Sequence, residues 1–84
     1  MTYFNRIEIT KTDLIHDGMG WSANDSLVDR RTIFVAKPAS NLALSRAILN
    51  AIGGQGFRKD AWAGAEFSWR SGTVGIYADV YDDD

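Results

Sequence analysis

One imidazole and no thiol limit the chemistry open to this chain: His16 is its only histidine, and cysteine is absent. His16 precedes Asp17 in "LIHDG", an imidazole beside a carboxylate, the two groups that activate a serine nucleophile. That activation needs the carboxylate to orient the ring in space. Adjacency along the chain does not provide this, and no strained nucleophile turn accompanies the pair. A single histidine without thiolates leaves no zinc ligand set, and the carboxylates show no calcium-loop spacing. In "GGQGFRK" (53–59) glycines and cations lie together. Phosphate cradles, however, precede a helix N-terminus, whereas these glycines follow the end of a helical pattern, where the dipole disfavours an anion. We therefore assign no catalytic residue, metal ligand or cofactor, and read the chain as non-enzymatic.

Charge is the stronger signal. Residues 1–29 carry −3, residues 30–59 carry six bases and no acid for +6, and residues 60–84 carry −5, giving the net −2. The acidic end contains "GIYADVYDDD" (75–84), where Tyr77, Asp79 and Tyr81 alternate along one side and lead into Asp82, Asp83 and Asp84. Tyrosines offer rigid contact area, and carboxylates pair with arginines and lysines of a partner. With Glu66, these residues form the candidate binding face: Glu66, Tyr77, Asp79, Tyr81, Asp82, Asp83 and Asp84. The competing bland reading is a solvated edge strand with a charged terminus. The basic block (Arg30, Arg31, Lys37, Arg46, Arg58, Lys59), interleaved with Phe57 and Trp62, is an alternative site for nucleic acid. An isoelectric point near 5.2 and the acidic terminus oppose tight duplex binding.

The elements that would position these groups follow from periodicity. "YFNRIEITK" (3–11) alternates as a strand, with Ile7 and Ile9 on one side and Arg6, Glu8 and Thr10 on the other. "DGMGWSANDS" (17–26) reads as an exposed loop and "RRTIFVAK" (30–37) as a second strand ended by Pro38. Ser40 reads as the N-cap of a helix over 41–52, whose Leu44, Ala47, Ile48, Ala51 and Ile52 form one apolar stripe; Gly53 and Gly54 end it. "AEFSWRSGTVGIYADVY" (65–81) reads as a hairpin with Ser71–Gly72 at its tip. That register puts Ala65, Phe67, Trp69, Val74, Ile76, Ala78 and Val80 on an apolar face. Glu66, Ser68, Arg70, Thr73, Gly75, Tyr77, Asp79 and Tyr81 lie on the solvent face.

The expectation is one α+β domain over 1–84, order ββαββ, with a single helix on one face of a mostly antiparallel sheet. Phe67, Trp69, Val74 and Ile76 should pack beneath Leu44, Ile48 and Ile52. No apolar run is long enough to span a bilayer and no signal peptide opens the chain, so a cytoplasmic protein is expected.

In its small size, lack of a catalytic set and acidic stretches such as "ADVYDDD" and "HDGMGWSANDSLVD", the chain resembles the anti-CRISPR proteins of phages and mobile elements. The resemblance is one of kind and rests on no shared motif. It implies a partner with a basic, nucleic-acid-binding surface on a CRISPR effector complex. The +6 central block departs from a uniformly acidic mimic of DNA. A small nucleic-acid-binding or regulatory protein using 30–59, or a homodimerising module, is the alternative.

Overall fold

A computed structural model describes residues 3–60 and 66–82. The elements are β1 (Phe4–His16), β2 (Trp21–Ala36), α1 (Asn41–Ile52), β3 (Arg58–Lys59), β4 (Phe67–Ser71) and β5 (Val74–Tyr81). The strands form one antiparallel sheet in the order β2-β1-β5-β4-β3, with α1 packed on one face. The α+β layer is as expected, with one short strand more than expected: β3 falls in the segment after the helix that the glycines mark as irregular.

The largest departure lies in 17–26. Only the turn between His16 and Trp21 is non-strand there, and β2 begins at Trp21 rather than Arg30. Gly18 and Gly20 take φ of 87° and 150° in that turn, where a side chain would be strained. The loop-like "SANDS" composition marks a slipped ladder instead. The β1–β2 pairing runs from Phe4↔Ala36 to Lys11↔Asp29, then shifts twice before Leu14↔Ala23, so β2 absorbs extra residues. Thr12, buried opposite the slip, donates its hydroxyl toward Ser26 O at 2.6 Å, with Asn24 O at 2.9 Å. The Ser26 carbonyl, at the register shift, thus receives a side-chain donor from across the strand pair. Thirteen residues of β1 at a rise of ~3.3 Å make an arm of ~40 Å. This arm accounts for the long axis of the 45 × 23 × 20 Å molecule.

Helix α1 forms where its pattern places it. Ser40 accepts from the Ala43 N–H at 3.1 Å, and Gly53 closes the C-terminus at φ 68°. Leu44, Ile48 and Ile52 meet Ile7, Ile9, Phe67, Trp69, Ile76 and Ala78 in one core. Val74 stays half-buried outside it, because β5 starts there, at the mouth of the hairpin turn. Gly54 is buried, and a Cβ there would stand 2.7 Å from Leu49 Cδ2 and 3.0 Å from Ile76 Cδ1.

In the second hairpin Ser71 pairs with Val74 and Trp69 with Ile76, which moves the tip to Gly72–Thr73. Gly72 supplies the positive φ (60°) that a two-residue hairpin loop requires at its first central position. The shift from the expected register is two residues, so the apolar and polar faces survive it. Ser68 and Gly75 are nevertheless buried on the face expected to be solvated. Ala65 and Trp62 lie outside the described residues.

Candidate functional site: the sheet face opposite the helix

Alternation sends every second residue of the central strands away from α1. On β5 these are Tyr77, Asp79 and Tyr81; on β1 they are Thr10, Glu8 and Arg6, directly opposite. The β1–β2 register adds Arg30 beside Thr10, Thr32 beside Glu8 and Phe34 beside Arg6. Three transverse rows result: Phe34–Arg6–Tyr81, Thr32–Glu8–Asp79 and Arg30–Thr10–Tyr77.

The first row is aromatic and cationic. Arg6 places its guanidinium carbon 4.3 Å from the Tyr81 ring centroid, and its Nη1 donates to Glu8 Oε1 at 2.6 Å. Arg6 is thereby held against the Tyr81 ring and the Glu8 carboxylate. Phe34 is 64% exposed, Phe4 51% and Tyr81 39%. A row of aromatics around an ordered arginine is the composition that dominates binding energy at protein interfaces.

The second row is acidic. Glu8 and Asp79 sit directly across the strand pair, and exposed Glu66 immediately precedes β4. Like charges directly opposite cost stability, so this juxtaposition opposes the fold locally. The third row borders a shallow concavity of about 220 Å³ lined by Thr10, Thr12, Asn24, Leu27, Arg30 and Tyr77.

Of the expected face, Tyr77, Asp79 and Tyr81 are brought together on one strand and Glu66 lies at the start of the neighbouring one. Asp82 is not a free carboxylate at a loose end, because it forms an ion pair with Lys37 Nζ, just beyond the end of β2. Asp83 and Asp84 lie outside the described residues. Arg6, Phe34 and Phe4 complete the face and were missed. Arg6 and Glu8 were legible as the polar side of the first strand. What was hidden is the strand order that sets β1 between β2 and β5.

The basic block does not form one surface. Arg31 pairs with Asp29 through Nε–Oδ2 at 3.3 Å, and Lys37 is taken by Asp82. Arg46 is exposed on α1, while Arg58 and Lys59 lie at the far edge of the sheet. His16 meets Trp21 edge-on, with ring centroids 4.9 Å apart, and the Gly18 N–H reaches its Nδ1 at 3.3 Å. Among the described residues, no three His, Asp or Glu gather as a metal site, and no helix is long and apolar enough to cross a membrane. Compared with known proteins, the chain matches no family model, no curated protein and no solved structure.

Proposed function

We propose that the chain is a non-enzymatic binding protein that docks the helix-free face of its sheet on a protein partner. The observation that carries this reading is the Phe34–Arg6–Tyr81 row: exposed aromatics and a pre-positioned arginine, lying beside the acidic Glu8–Asp79 row. Aromatic anchors supply desolvated area, and the acidic row selects a partner that presents arginine or lysine. The likeness in kind to anti-CRISPR proteins names the first partner to test, a basic nucleic-acid-binding surface of a CRISPR effector in the cytosol. The mixed charge of the face favours a partner with both apolar pockets and cations over one read by negative charge alone.

The experiment is titration of purified chain against purified CRISPR effector complexes, with Asp79→Lys and Tyr81→Ala beside the parent. Where Asp79 meets a buried arginine, its reversal should cost about 2–5 kcal/mol of binding. Loss of binding in both variants, each melting cooperatively and no lower than the parent, supports the face. Parental affinity in both removes it.

The 16-residue β2 is an edge strand, and this favours one second reading, pairing of two copies edge to edge. A concentration series in sedimentation equilibrium separates the two readings.

A further inference from the structure

The glycine–cation segment after the helix gains a second half in three dimensions. On β3 and β4, Arg58 pairs directly with Arg70. Two guanidinium groups on directly opposed positions repel each other. Among the described residues, only Arg70 of the two is compensated by a carboxylate. Its Nε donates to Asp60 Oδ2 at 2.7 Å, its Nη1 donates to Gly72 O at 2.9 Å, and its guanidinium carbon lies 4.7 Å from the Trp21 ring centroid. Arg70 is thus held rigidly, with Nη2 free of those bonds. Arg58 is exposed and, among the described residues, has no ion pair. The two arginines border an open concavity of about 360 Å³ with Gly56, Lys59, Ser71 and Gly72. Gly56 and Gly72 adopt φ of 88° and 60° there. The cations exceed the one carboxylate, Asp60, by two charges.

We propose that this concavity binds the phosphate group of a small phosphomonoester, with Arg58 and the free nitrogen of Arg70 as its donors. A phosphomonoester carries close to two negative charges at neutral pH, which matches the site's surplus. A planar guanidinium suits phosphate oxygens geometrically. The anion between the arginines would also remove their mutual repulsion, so occupancy stabilises the fold. The helix dipole plays no part, because the donors come from the sheet edge and not from α1.

The test is an NMR titration of the intact chain with inorganic phosphate, a nucleoside 5′-monophosphate, the unphosphorylated nucleoside, and an oligonucleotide lacking terminal phosphate. Sodium chloride at matched ionic strength is the blank. Inorganic phosphate and the monophosphate should shift the amides of Gly56, Arg58, Arg70 and Gly72 saturably, while the nucleoside and the salt blank should not. Arg58→Gln should weaken the monophosphate about tenfold or more, the loss expected of a hydrogen bond between charged groups. Arg46→Gln, on the exposed side of α1, should leave it unchanged. Shifts equal in the salt blank, an unaffected Arg58→Gln, or tighter binding of the unphosphorylated oligonucleotide than of the monophosphate would each overturn the proposal.

Discussion

Replacing Asp79 by lysine should stabilise the fold while weakening its binding. Asp79 stands directly opposite Glu8, and Arg6 lies on the diagonal, opposite Tyr81. Cβ atoms of direct cross-strand neighbours are about 4.5–5.5 Å apart and diagonal ones about 7–8 Å, so the direct pair dominates. At present the direct pair is acid against acid, and the favourable diagonal is weakened because Arg6 already holds Glu8 at 2.6 Å. A lysine at 79 makes the direct pair attractive and the diagonal repulsive, for a net gain of about 0.2–1 kcal/mol. Aspartate is also the poorer strand former, which adds in the same direction. For a domain of this size such a gain raises Tm by roughly 1–8 °C. The assay is urea denaturation at low salt and again at 1 M salt, where the screening length falls to about 3 Å and the charge gain should largely vanish. Asp79→Asn should recover part of the gain, since it removes repulsion without adding attraction. A lower midpoint for Asp79→Lys at low salt with an unchanged slope would refute the assigned register, and a salt-independent gain would refute the electrostatic cause.

Three further substitutions test the parts that hold the face in place. Ile48→Ala empties a fully buried position of α1 against Ile7, Ile9 and Ile76, and denaturant melts should show a loss of about 2–5 kcal/mol. Gly54→Ala forces Leu49 and Ile76 apart and should cost about 1–3 kcal/mol by the same melts, whereas a neutral result would mean that the close approach relaxes freely. Thr12→Val keeps the shape but removes the hydroxyl that donates to Ser26 O; a loss of about 1–3 kcal/mol, with faster amide exchange across residues 23–28, is expected.

The parts of the fold governed by local rules were legible. Ser40, the Leu44–Ile48–Ile52 stripe and Gly53 define α1 by capping and periodicity alone. The two faces of the β4–β5 hairpin were legible for a related reason: a two-residue shift preserves alternation, so Tyr77, Asp79 and Tyr81 share a face whether the tip is Ser71–Gly72 or Gly72–Thr73. The β1–β2 arm was not, because turn-forming residues at 22–26 signal irregular backbone without telling a loop from a slipped ladder that Thr12 satisfies from across the strand pair. Strand order was hidden as well. Nothing local in "FNRIE" says that Arg6 will lie under Tyr81, or in "FRKD" that Arg58 will face Arg70. Half of each candidate site therefore came from residues far apart in the chain.

The central claim is that the sheet face opposite α1, and not the helix side, meets the partner. The most direct measurement is the affinity of an identified protein partner for three folded versions of the chain: the parent, Phe34→Ser/Tyr81→Ser, and Leu42→Ser/Arg46→Ala on the exposed side of α1. The sheet-face pair should weaken binding at least a hundredfold, because truncating two anchor residues at about 2 kcal/mol each removes close to 4 kcal/mol. The helix pair should bind like the parent. Parental affinity in the sheet-face pair together with a loss in the helix pair would contradict the claim and move the interface to α1.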